Sequence, residues 1–165
     1  MWVTKVMLFN GFLLSSLIGL ILYQGLANRS SLSGTRWACA QLDESFITQG
    51  YQQYKAIENR SVLKFISDIN LEIYRFGHLT TQQGEDKKYE IYLELDYLEE
   101  RQGLLSMTFN NIEWNLKPTH SDIFVRNIDT LVDSKVELRF ETRDKQLFLF
   151  TQGGAEEGNY VCFKN

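Results

Sequence analysis

Tyr89-Glu90-Ile91-Tyr92-Leu93-Glu94-Leu95-Asp96-Tyr97 alternates apolar and polar side chains without a break. In an extended chain successive side chains point to opposite faces, so this stretch reads as a strand with one face buried and the other in water. Asp68-Ile69-Asn70-Leu71-Glu72-Ile73 repeats the period, and the polar residues 80–88 between the two runs read as a hairpin turn. Leu105-Ser106-Met107-Thr108-Phe109-Asn110 continues the pattern, while Ile112, Trp114 and Leu116 resume it out of step. One extra residue in a strand does this, so a bulge or bend is expected at Asn110-Asn111.

Working outward, residues 136–140 and 147–150 make a second hairpin, residues 36–42 a first strand around Cys39, and residues 160–163 a last strand. Residues 43–58 carry Phe46, Ile47, Tyr51 and Tyr54 at mixed helical spacing and predict a short helix broken at Gly50, whereas 122–131 fits neither period. Seven or eight antiparallel strands curl, and the predicted fold is mainly β: a lipocalin-like barrel or half-barrel with one short helix. A plain sandwich is the alternative, because periodicity does not say which strands close on which.

The chain has 165 residues, 44% of them hydrophobic and 13% aromatic, which excludes a disordered protein. Residues 28–165 carry 16 basic against 21 acidic residues, which argues against a nucleic-acid surface. Residues 6–26 contain no charge, a length sufficient to cross a bilayer core of about 30 Å as a helix. The expected organisation is a cytoplasmic stub (1–5), a transmembrane signal anchor (6–26), a linker (27–35) and a periplasmic β domain (36–165). Trp2 and Tyr23 sit near the two ends of the apolar segment, and Gly11, Ser15 and Gly19 recur every four residues, the spacing at which membrane helices pack closely. Cleavage after Ala27 as a signal peptide is the competing reading.

Cys39 and Cys162 are the only thiols. In an oxidising compartment such a pair is expected as a disulfide that brings the first and last strands together. No metal-ligand spacing, nucleophile elbow or phosphate loop occurs, so neither a metal nor a cofactor is expected. His78 and His120 fall at turns, and Glu90, Glu94 and Asp96 alternate on what reads as a solvated strand face; no enzyme is expected. The opposite face is apolar and aromatic. Ile69, Leu71, Ile73, Tyr89, Ile91, Leu93, Leu95, Met107 and Phe109 are its candidate ligand-lining residues, with His78, Tyr97 and Trp114 as candidate polar contacts. A plain hydrophobic core is the alternative fate of the same residues. Asn28 and Asn59 open Asn-x-Ser sequons, relevant only in a eukaryotic secretory pathway.

The order of features, with Thr35-Arg36-Trp37-Ala38-Cys39 opening the β domain and Gly158-Asn159-Tyr160-Val161-Cys162-Phe163 closing it, resembles the small membrane partners of ToxR-like transcription regulators, the ToxS, VtrC and FidL-like proteins. The resemblance implies an inner-membrane regulatory partner, forming a heterodimer with a membrane-tethered winged-helix regulator through their periplasmic domains. It further implies a shared barrel that senses bile salts and controls virulence genes. The reading from another class is a free-standing periplasmic lipocalin-like module for small-molecule binding or assembly, with any ligand held inside its own barrel.

Overall fold

The alternating stretch forms the middle of strand β4 (Asp86–Glu100), and its inward residues meet those of β3 (Asn70–Thr81) in register: Leu71 opposite Leu95, Ile73 opposite Leu93, Arg75 opposite Ile91. The computed structural model describes residues 15–16, 18–19, 31–41, 51–100, 103–119, 122–151 and 158–165. The remaining strands are β1 (Arg36–Gln41), β2 (Tyr54–Phe65), β5 (Leu104–Leu116), β6 (Lys135–Arg143), β7 (Gln146–Thr151) and β8 (Gly158–Lys164). Each pairs antiparallel with the next, and β8 returns to β1, closing an eight-stranded barrel. Eight strands enclose a space that side chains just fill, or that one small ligand shares with them.

The inward faces of the strands supply the core, including Phe65, Leu71, Tyr89, Ile91, Leu95, Leu105 and Leu147. Outside, Glu94 and Asp96 are exposed and Glu90 accepts a 2.8 Å hydrogen bond from the Tyr74 hydroxyl, which places these carboxylates on the solvated face. The bulge falls at the expected place, since Glu94 faces Asn111 while Leu95 faces Phe109. A short helix, α1 (Ile123–Asp129), follows β5 and buries Phe124, Val125 and Ile128.

The Cys39–Cys162 disulfide is present and joins residues directly opposed across the β1–β8 seam. Five residue pairs flank or include it, from Trp37 opposite Lys164 to Gln41 opposite Tyr160. A half-barrel awaiting a partner's strands is therefore excluded, because this chain closes its own seam.

The chain divides into two units, Met1–Ser31 and Leu32–Asn165. Leu32, expected in a linker, is fully buried in the barrel unit, and the Gly34 N–H donates to the Phe65 carbonyl at 2.8 Å. The expected transmembrane helix is overturned: among the described residues no helix is long and apolar enough to cross a membrane. Of residues 6–26 only Ser15, Ser16, Ile18 and Gly19 are described, all helical. The rest of that segment, Gly11 included, lies outside the described residues. The single-pass inner-membrane location, with its cytoplasmic N-terminus and periplasmic domain, the inner-membrane regulatory role and the heterodimer with a ToxR-like regulator all require that span, and they are corrected with it.

The early helix is corrected as well. Residues 42–50 lie outside the described residues, but 54–58 belong to β2. The helix occurs instead at 123–129, where periodicity was ambiguous.

Gly77 is required by close approach. A Cβ on Gly77 of β3 would lie 1.8 Å from the Glu58 carbonyl oxygen of β2, which also accepts the Tyr89 hydroxyl at 3.2 Å. Strand propensity alone predicts that Gly77→Ala stabilises by about 0.5–1 kcal/mol. The contact predicts the opposite sign, a loss of about 2–3 kcal/mol, because the β2–β3 ladder must part to admit the methyl group. Urea denaturation of the variant decides between them, and a stabilised Gly77→Ala would show that the strands separate there without cost.

Candidate functional site

The barrel does not fill completely. A cavity of about 120 Å³ remains inside it, walled on the apolar side by Leu63, Ile73, Leu93, Leu105, Met107, Phe109, Val136, Leu138 and Leu149, and by Leu131 from the turn after α1. Asn59, Ser61, Arg75, Thr151 and Tyr160 complete the lining.

Strand register partly segregates these two sets. Along β2 the inward order is Asn59, Ser61, Leu63, Phe65; along β3, running back, Leu71 and Ile73 precede Arg75. Ser61 faces Arg75, Leu63 faces Ile73 and Phe65 faces Leu71. On β7, Leu147 and Leu149 precede Thr151, and Tyr160 of β8 faces Leu149. Asn59, Ser61 and Arg75 thus form a polar level across β2 and β3, while Thr151 faces Leu138 and Tyr160 faces Leu149.

The polar level is connected. Arg75 donates from Nε to Asn59 Oδ1 at 3.0 Å, and Asn59 donates from Nδ2 to the Tyr160 hydroxyl at 3.0 Å. Asn59 is only 6% exposed, so its sequon is not a glycan acceptor in the folded barrel. The Arg75 guanidinium lies 5.8 Å from the centre of the Phe124 ring, a cation–π contact that ties α1 to the cavity wall. Phe124 in turn packs against Tyr89 (4.7 Å between ring centres), Tyr51 (5.7 Å) and Trp114 (6.4 Å), so α1 is held by an aromatic cluster. At its start Asp122 is buried, and its Oδ2 lies 3.2 Å from Lys87 Nζ. Burial pushes the Asp122 carboxyl above the usual aspartate range, against the opposing pull of the Phe124 N–H and the Arg126 charge.

Of the candidate lining residues, the cavity gathers Ile73, Leu93, Met107 and Phe109. Leu71, Tyr89, Ile91, Leu95 and Tyr97 are buried core outside its lining; Tyr97 donates to the Ser67 carbonyl at 2.6 Å. Ile69 sits in the β2–β3 turn and is 60% exposed, because the alternation of β3 begins one residue later. His78 is on the outer face, 2.9 Å from Asp86, and His120 lies outside the described residues. Trp114 donates to Asp129 Oδ1 at 2.7 Å beside α1.

Arg75, Asn59, Ser61, Thr151 and Tyr160 were not among the candidates. One of them leaves a trace in the sequence: counting by twos from Leu71 and Ile73 puts Arg75 on the inward face, where a charge breaks the apolar pattern. Among the described residues no group of three or more His, Cys, Asp or Glu is placed to hold a metal ion. No protein-family model matches this chain, and no curated protein matches it.

Proposed function

We propose that this chain is a small-molecule binding module that holds an amphipathic ligand inside its own barrel. The observation that carries this is the cavity with an apolar end and a connected polar level. Leu or Ile at Asn59 and Arg75 would bury more apolar surface without the desolvation cost of an amide and a guanidinium. Polar groups in such an interior are what orient a ligand whose remaining surface is apolar.

Cavity size bounds the ligand. Pockets that take drug-sized molecules run to about 300–1,000 Å³, whereas an apolar cavity of about 150 Å³ accepts benzene. A space of about 120 Å³ suits a molecule, or the buried end of one, near benzene in size. A space of this size does not enclose the four fused rings of a bile salt.

The test is thermal denaturation of the full chain with toluene, benzyl alcohol and benzoate as probes. A ligand that binds only the folded state stabilises it by about 2.7 kcal/mol at a hundred times its dissociation constant, so the midpoint rises with probe concentration. Ser61→Leu fills the cavity from β2 and is expected to abolish the rise. If no probe shifts the midpoint, or if Ser61→Leu leaves the shifts unchanged, the cavity is not a binding site.

A further inference from the structure

Building on that proposed binding role, we infer that Ser61 is the residue that reads the ligand, and that the ligand is a small alcohol or phenol whose hydroxyl meets Ser61 while its apolar body lies against Leu63, Ile73 and Leu93. Spare hydrogen-bonding capacity is the first ground. Asn59 is engaged at both ends of its amide, accepting from Arg75 and donating to Tyr160. Ser61 lines the same cavity, and among the described residues its hydroxyl has no hydrogen-bond partner. Among those residues no fully occluded side-chain nitrogen or oxygen lacks a partner, so the Ser61 hydroxyl is open to a molecule at least the size of water. A serine hydroxyl both donates and accepts, and a ligand hydroxyl does the same, so the pair bonds whichever of the two supplies the hydrogen.

Position is the second ground. Ser61 stands between Cys39 of β1 and Arg75 of β3, and the next inward row beside it is Leu63, Ile73 and Leu93, paired across β2, β3 and β4. Inward residues two apart on a strand are separated by about 7 Å. A hydroxyl held at Ser61 therefore sets a six-membered ring at the level of Leu63, in the apolar part of the cavity. A leucine at position 61 would occupy that approach and offer no hydrogen bond. Serine leaves the space open and marks one end of it with a polar group.

Phenol and toluene have nearly the same shape and differ by the hydroxyl, so calorimetric titration of the full chain with each separates polarity from size. Phenol is the more strongly hydrated of the two, and a purely apolar cavity would prefer toluene. With Ser61 to meet the hydroxyl, phenol is expected to bind at least as tightly as toluene. Ser61→Ala is expected to lower the phenol-to-toluene affinity ratio about 3- to 10-fold, the effect of one hydrogen bond between neutral groups, and to leave toluene binding within about threefold. Ser61→Thr, which keeps the hydroxyl, should hold the ratio near that of the unaltered chain, and it carries the comparison should Ser61→Ala fail to fold. Toluene binding without phenol binding, a ratio unmoved by Ser61→Ala, or a ratio that Ser61→Thr lowers as far as alanine does, overturns the assignment of Ser61 while the cavity remains a binding site. If neither probe binds, the binding reading itself fails instead.

Discussion

Replacing Cys39 and Cys162 together by alanine is expected to lower the free energy of unfolding by about 5 kcal/mol. The bond spans 123 residues, and in the chain-entropy model a loop of that length confines the unfolded chain by about this amount. Alanine leaves no buried hydroxyl behind, so the measurement reports the crosslink and little else. The structural consequence is local to the seam. β1 and β8 keep their ladder, but amides at 37–41 and 160–164 should exchange faster than those of the longer β3–β4 pair. Because the unlinked unfolded state is more expanded, the slope of stability against urea should steepen as well. Equilibrium urea denaturation of the wild type and the double variant checks the magnitude, and labelling of the unreduced, denatured wild type checks the bond. A loss below about 1 kcal/mol, or two reactive thiols, would sink the prediction.

Phe124→Ala is expected to cost about 3–5 kcal/mol, the range for deleting a fully buried ring. Its cause is more specific than area. Helix α1 has seven residues, too few to persist by its own hydrogen bonds, so it exists because Phe124, Val125 and Ile128 dock it onto the barrel. Phe124 is the member that reaches the Tyr51, Tyr89 and Trp114 rings, and each aromatic pair contributes about 0.5–1.5 kcal/mol beyond the area it buries. Loss of the ring therefore loosens the helix, and with it Leu131, which walls the cavity just beyond the helix end. Two readouts follow from one substitution: a lower midpoint of unfolding, and faster amide exchange across 123–131. A variant that loses less than about 1 kcal/mol, with protection across α1 intact, would show that the helix is held by something other than this cluster.

Most of the barrel is legible in the sequence because strands buried on one face record that burial residue by residue. The nine residues from Tyr89 to Tyr97 and the slip at Asn110 were enough for β4, β5 and the bulge between them. β2 was misread for a reason that bears on function. The helix expected over 43–58 rests on the spacing of Phe46, Ile47, Tyr51 and Tyr54, and just beyond it the inward Asn59 and Ser61 interrupt the apolar alternation that would mark a strand up to Leu63. The side chains that hide the strand are the ones that give the cavity its polar level. A sequence rule built on burying apolar residues fails where the interior is kept polar for another purpose. The reading of 6–26 as a membrane span rests on apolarity and length, and among the described residues no helix has that length.

The class of the fold and its crosslink follow from the order of residues alone: the period of two fixes which face of each strand is apolar, and two lone cysteines leave one pairing. Closure, the cavity and its chemistry were decided only in three dimensions. Whether β8 returns to β1, and whether Asn59, Arg75 and Tyr160 meet, depends on the stagger with which eight strands wrap around a common axis. Register between strands distant in sequence sets that stagger, and no single strand records it; Asn59 and Tyr160 are 101 residues apart and share a hydrogen bond. A strand's alternation says that a residue points inward, and only the closed barrel says what it meets there.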